Sequence, residues 1–527
     1  MNYLPSDETS KIRGQIDHPV IDGDGHLIEY TPLIRDFLVE DAGEEIAKSF
    51  DMMHGGSELA RQVPLDAKRG LGMSRFAWWG VPTTNTLDRA TAMMPKLMYN
   101  RMDELGLDFA MLYPTYGLTV TALPDDELRP ALARAYNRYY AECYGEYRDR
   151  LEPVAAIPCF TPDEALAELE HAVVELGLKA AMFSGVISRK VPGAEDTRGA
   201  SWMDTLCHDS DYDYDPVWKR CEELGVAVTF HASGQGWGSR MSRTNYVYNH
   251  IGNFAVAGEA ACRSVFMGGA AQRFPGVRWG FLEGGVAWGA NLYSDILGHF
   301  EKRNRETINH YNPANLDRNM IEQLLKEHAP KQVRERLDRL NDGLLMLCDP
   351  DEDPTMIDEF AACGVDTKED IKSIFEQKFF FGCEADDPMN AMAFDRDKIP
   401  LKARLNAVFA SDIGHWDVPD FRGVLPEAWE LVEDGHLDMN DFRAFTCDNA
   451  ISLFAGAKSD FFEGTVIEDY AKSLQADDKR HRARPRLPKL RVAGSNPVSR
   501  SNFPVAAQVF RGSGDSVAPA SPACGDA

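Results

Sequence analysis

Short apolar, β-branched or aromatic runs alternate along the chain with longer stretches whose apolar positions recur at helical spacing. The runs are "HPVIDGDGH" (18–26), "DFAMLYP" (108–114), "EPVAAIP" (152–158), "AAMFSGV" (180–186), "VAVTFHA" (226–232), "VRWGFLEG" (277–284), "FFFGCEA" (379–385) and "NAVFASD" (406–412). Helical segments such as "TPDEALAELEHAVVELGL" (161–178) and "DPVWKRCEELG" (215–225) separate them. Strands alternating with helices form parallel βα units, and eight such units close a barrel, so the expected fold is α/β, a (β/α)₈ TIM barrel.

Two long stretches interrupt the alternation. Residues 31–100 hold polar, Gly-containing sequence ("HGGSELARQ", "LGMSRFAWWGVP") and are expected to form a long loop after strand 1, covering the barrel mouth. Residues 300–372 are charged and helix-rich, and are expected to form a helical insertion between strands 6 and 7, with a homodimer arm as one use for it. The expected organisation is an N-terminal arm (1–17), the barrel (18–473) and a disordered tail (474–527). Within that tail "KRHRARPRLPKLR" (479–491) has seven Lys or Arg and no acid, and a Ser-, Pro-, Gly- and Ala-rich stretch follows.

Composition narrows the partners. Eighty-three Asp or Glu against 56 Lys or Arg give a formal charge of −27, which repels nucleic-acid phosphates and anionic membranes. A small-molecule substrate is therefore expected, with neither nucleic acid nor membrane as partner. The N-terminal "MNYLPSDETSKIRGQID" lacks an apolar core, so a cytoplasmic chain is expected. Ten scattered cysteines without a Cys-x-x-Cys pair predict reduced thiols rather than a zinc knuckle or disulfides.

The polar residues at the carboxyl ends of the runs carry the chemistry. Parallel barrels gather these ends on one face, where a divalent metal requires three or four rigid N or O ligands. "DGDGH" supplies Asp24 and His26, which with Asp22 fall on one face of an alternating strand; "VTFHA" supplies His231, and "ASDIGH" supplies Asp412 with His415 three residues on. Glu283 in "FLEGG" is a candidate acid, base or ligand. His250 and Glu29 are candidates for substrate contact or a second metal. Glu384 and Asp387 read as supporting or surface acids. Tyr113, Trp288 and "FAWWG" (76–80) could line an apolar pocket, although core packing suits most aromatics better.

This set of motifs resembles the amidohydrolase superfamily, in particular the amidohydrolase-related group that includes aminocarboxymuconate-semialdehyde decarboxylase and other aromatic-acid decarboxylases. The resemblance covers roughly residues 18–460. It implies an acid-x-His pair at Asp24 and His26, a fifth-strand His at His231 and an eighth-strand Asp at Asp412, together holding Zn, Mn or Fe, with two ions a further option. Where that group usually places His after strand 6, this chain has Glu283. The main expectation is a metal-dependent hydrolase in which a metal-activated water loses its proton to Asp412 and Glu283 or His415 protonates the leaving group. The alternatives are a non-oxidative decarboxylase of a small carboxylic acid, a dinuclear Fe or Mn monooxygenase, and an inactive partner subunit.

Overall fold

The computed structural model describes residues 3–71, 73–75, 84–197, 200–344 and 358–482. Ten strands occur there: β1 (Ile21–Leu27), β2 (Phe109–Pro114), β3 (Leu151–Ile157), β4 (Ala180–Phe183), β5 (Ile187–Lys190), β6 (Ser201–Asp204), β7 (Val228–Phe230), β8 (Trp279–Phe281), β9 (Phe379–Glu384) and β10 (Asn406–Ala410). Eight of them form one all-parallel sheet in the order β1-β2-β3-β4-β7-β8-β9-β10, and each of the eight predicted runs contributes one. The barrel closes where β10 meets β1: His26 N donates to Ile413 O (3.0 Å), Asp412 N to Asp24 O (3.2 Å) and Ser411 N to the Asp22 carboxylate (2.9 Å). The antiparallel hairpin β5–β6 was not expected; its alternation is too short to stand out from the loop around it.

Parallel strands buried on both faces read as continuous apolar runs, and their side chains divide between two cores. Phe109, Met111, Tyr113, Val154, Met182, Phe380 and Val408 fill the barrel, and Phe454, Phe461 and Phe462 plug its lower end. Leu112, Phe183, Phe230 and Trp279 face the surrounding helices, and Trp218 of the helix Asp215–Leu224 packs on Phe183, Phe230 and Trp279.

Strand β1 departs from simple alternation. Its pairing with β2 runs Ile21 to Phe109 and Asp22 to Ala110, then Gly25 to Leu112 and His26 to Tyr113, so three residues on β1 span two on β2. This bulge separates Asp22 from Asp24 and His26. The expected shared face is thereby corrected: Asp22 turns to Ser411, bonding its N and Oγ, and accepts from Asp24 N at 3.3 Å. The bulge requires glycine at its centre. A Cβ on Gly23 would lie 2.3 Å from Val408 Cγ1 and 3.2 Å from Phe409 O. Gly23→Ala is expected to lower stability by about 1–3 kcal/mol, the usual range for overpacking, which a shift of the denaturant midpoint would register. An unchanged midpoint would contradict this contact.

The segment after β1 is largely helical rather than a long loop: Thr31–Ala42, Glu44–Gln62, Leu65–Gly70, Thr86–Met93 and Pro95–Leu105. Pro at the first turn, Asn85 accepting from Asp88 N, and buried Ile34, Phe37 and Leu38 at helical spacing explain the difference. Asp36, Glu40, Asp41, Glu44, Glu45 and Lys48 are solvent-exposed positions of the first two of these helices. "FAWWG" lies outside the described residues. Between β8 and β9 the described residues form helices that include Ala287–Arg303, Arg318–His328 and Lys368–Gln377. The last described helix, Glu468–Arg482, takes in the first residues of the expected tail, and the rest of that tail lies outside the described residues. No described helix is long and apolar enough to cross a membrane.

Candidate metal centre

Six side chains converge at the carboxyl end of the barrel: Asp24 and His26 from β1, His231 just past β7, Glu283 just past β8, and Asp412 and His415 just past β10. All six side chains are at least nine-tenths buried. Donor atoms within 4.8 Å of one another form two groups, one of Asp24, His26 and His231, the other of His26, Glu283, Asp412 and His415.

The distances describe ligands facing a common space. His26 Nε2 lies 3.3 Å from Asp412 Oδ1 and 3.8 Å from Asp24 Oδ1; His231 Nε2 lies 4.0 Å from Asp24 Oδ1 and 2.9 Å from Glu283 Oε2. His415 Nδ1 lies 2.5 Å from Asp412 Oδ1, and its ring lies over that of His26 with centroids 3.7 Å apart. Yet both Asp24 oxygens, His26 Nε2, His231 Nε2, Glu283 Oε2 and Asp412 Oδ1 have no hydrogen-bond partner among the described residues. Buried polar atoms left in this state are costly unless a ligand satisfies them. His26 is already oriented as a ligand, since its Nδ1 lies 3.2 Å from Pro114 O; an Nδ1–H donates there and the Nε2 lone pair faces the centre.

Electrostatics point the same way. Burial raises the Asp24 carboxyl to about 8, with the charges of Glu283 and Asp22 adding to the effect, and holds Glu283 and Asp412 well above the usual carboxylate range. Burial likewise lowers His26, His231 and His415, so the imidazoles are neutral. Carboxylates that must take up protons in the absence of a cation, beside imidazoles that cannot become one, fit a divalent metal.

Two of the acids sit in unusual backbone. Glu283 (φ 55°) and Asp412 (φ 51°) occupy the left-handed region, which Gly adopts freely, Asn and Asp less readily and Glu rarely. Such strain concentrates where a site over-determines the chain. Here it turns both carboxylates inward at strand ends.

A cavity of about 270 Å³ shares Glu283 with the centre; its wall also includes His250, Phe254, Glu384 and Asp387, and no Lys or Arg among the described residues. His250 belongs to this wall rather than to the ligand groups; its ring stacks on Tyr246 (5.2 Å) and meets Trp416 edge-on (5.7 Å). Glu384, set aside in the sequence as a supporting acid, is solvent-exposed at the end of β9 and opens onto the cavity, where partial desolvation with the charges of Asp417 and Glu283 raises it to about 7. Asp417, whose charge helps raise Asp412, was missed, although it stands in the "ASDIGHWD" run. Glu29 is elsewhere: Tyr116 N, Gly117 N and Tyr140 Oη occupy its carboxylate. Tyr113 bonds Thr229 Oγ1 inside the barrel and Trp288 packs on Phe281 and Phe381, so both are core residues.

The amidohydrolase family model matches residues 21–334, which contain Asp24, His26, His231 and Glu283. The chain belongs to the amidohydrolase family. Over 130 residues this amidohydrolase is 30% identical to the gamma-resorcylate decarboxylase of Rhodococcus jostii (strain RHA1); the match covers 25% of this chain and 37% of that enzyme, little more than a third of the curated relative's length. Among solved structures it is similar to the dihydroxybenzoic acid decarboxylase of Polaromonas sp. JS666 with bound manganese and 2-nitroresorcinol (TM-score 0.44, 15% identity, 85% of this chain and 100% of that one). It is also similar to the 5-carboxyvanillate decarboxylase of Novosphingobium aromaticivorans DSM 12444 complexed with manganese and 4-hydroxy-3-methoxy-5-nitrobenzoic acid (TM-score 0.46, 12% identity, 86% and 98%).

Proposed function

We propose that this amidohydrolase is a metal-dependent, non-oxidative decarboxylase of a hydroxylated aromatic acid. The observation that carries the reading is the placement of Glu384, a protonatable group outside the ligand set, on the wall of a cavity that Glu283 of the candidate ligand set also lines. The partial identity to gamma-resorcylate decarboxylase supports the substrate class.

Asp24, His26, His231 and Asp412 would hold the ion. A divalent metal there supplies a Lewis-acid seat for the substrate carboxylate and an adjacent oxygen. The described cavity wall holds no Lys or Arg. His250 and Phe254 offer ring faces and edges to a planar substrate. The bond between the ring carbon and the carboxylate breaks, its electron pair stays on the ring carbon, Glu384 delivers a proton to that carbon, and carbon dioxide leaves. Solvent then returns a proton to Glu384.

Hydrolysis is the second reading, favoured by the Asp412–His415 contact, which suits a base that takes a proton from water. Incubation of the manganese-loaded protein with benzoic acids bearing a hydroxyl beside the carboxylate separates the two. Carbon dioxide and the decarboxylated arene are expected in equal amounts. Cleavage of esters, amides or lactones with no carbon dioxide from any such acid would overturn the decarboxylase reading.

A further inference from the structure

We infer that the substrate carries a positively charged amino group at the end remote from the carboxylate it loses, and that Asp387 selects it. This deepens the decarboxylase reading above and takes from it the seat of the reacting carboxylate. The cavity gathers acids from successive strand ends: Glu283 follows β8, Glu384 ends β9, and Asp387 stands three residues on. The charges that act on Glu384 are those of four other acids, Asp417, Glu283, Asp386 and Asp387. Buried acids elsewhere are paired, Asp88 with Arg101 (2.6 Å), Glu152 with Arg148 (2.5 Å) and Asp204 with Arg189 (3.0 Å). The cavity wall holds no such partner among the described residues.

The wall also presents carboxylate oxygens to the space. The Glu283 side chain is 6% exposed, lines the cavity, and its Oε2 makes no hydrogen bond among the described residues, a state that calls for a positive or proton-donating ligand. Asp387 belongs to neither group of candidate metal ligands and is not the proton donor, so its charge is left to the substrate. Its Oδ1 accepts from Met389 N at 2.9 Å, which fixes the carboxylate, and its Oδ2 lies 3.3 Å from where a Cβ on Gly285 would stand. Glycine there leaves that oxygen uncovered.

Like charges crowded into a concave wall attract a cation and repel a second carboxylate. Phe254 in the same wall supplies an aromatic ring, a surface that also attracts an ammonium. The ammonium would further stabilise Glu384 once it has given its proton to the ring carbon.

The test compares three 2-hydroxybenzoic acids that differ only para to the reacting carboxylate, where they bear aminomethyl, methyl or a second carboxylate. With manganese-loaded full-length protein, isothermal titration calorimetry reads Kd and carbon dioxide release reads kcat/KM. Both should rank aminomethyl first and the second carboxylate last, with at least about tenfold between neighbours in the series. Asp387→Asn should cut the ratio of aminomethyl to carboxylate kcat/KM by at least about tenfold, whereas a merely structural role would lower all three alike. Circular dichroism reports that the variant is folded, and the order in the unaltered protein tests the inference without it. Equal Kd for the three acids, or tightest binding of the dicarboxylate, would overturn the cationic preference and leave the decarboxylase reading standing. An unchanged ratio in the variant would take the selection away from Asp387. The expected Kd order with no carbon dioxide from any of the three would overturn the decarboxylase reading alone.

Discussion

Replacing Asp24 by Asn is expected to abolish metal retention and lower kcat/KM by about 10³-fold, or about 4 kcal/mol, while making the metal-free protein more stable. The two effects have one origin. Asp24 is 1% exposed and neither of its oxygens accepts a hydrogen bond among the described residues, so without a cation the folded chain buries a carboxyl with nothing to offset its desolvation. The sign with pH follows from the raised value of about 8. The folded state holds this proton above the pH at which the unfolded chain, with an ordinary carboxylate, has lost it, so the destabilisation grows from about pH 4 to 8. In chelator, Asn in place of Asp24 should therefore raise Tm by a few degrees at pH 7.5 and by less at pH 5; with Mn²⁺ present the unaltered protein should regain the lead. Full metal occupancy in the variant, or a lower Tm in chelator, would contradict the assignment.

The second large effect is expected at Glu384. A positioned acid contributes about 10²–10⁴-fold, so Glu384→Gln should lower kcat by at least about 10²-fold with metal content unchanged. Because the protonated carboxyl is the active form, kcat of the unaltered enzyme should fall as pH rises through about 7. The charged groups that set this value are Glu283, Asp386, Asp387 and Asp417, all acidic, and all act to keep the proton on. The residual activity of the variant should lose that alkaline limb. A limb that persists unchanged in Glu384→Gln, or an undiminished kcat, would place the proton donor elsewhere.

The cluster of carboxylates and imidazoles was only partly legible in the chain. The apolar runs marked all eight barrel strands because each is buried on both faces, and a strand of this kind shows its character within six or seven residues. The same runs ended in Asp24, His26, His231, Glu283 and Asp412, and parallel strands have no alternative to gathering their carboxyl ends. His250 was also visible, but its place on the cavity wall depends on stacking with Tyr246 and Trp416, residues that the strand pattern does not address.

Local sequence thus determined the barrel and the polar residue types at its carboxyl end, because hydrophobic period and strand-end polarity are properties of neighbours in the chain. Only the tertiary structure decided how the ligands are aimed. The bulge at Gly23 removed Asp22 from the face of Asp24 and His26. The left-handed backbone at Glu283 and Asp412 turned their carboxylates inward. The seam between β10 and β1 brought Asp412 and His415 against His26 across nearly 390 positions of chain. Each of these follows from closing the sheet on itself, a long-range constraint that no window of neighbouring residues contains.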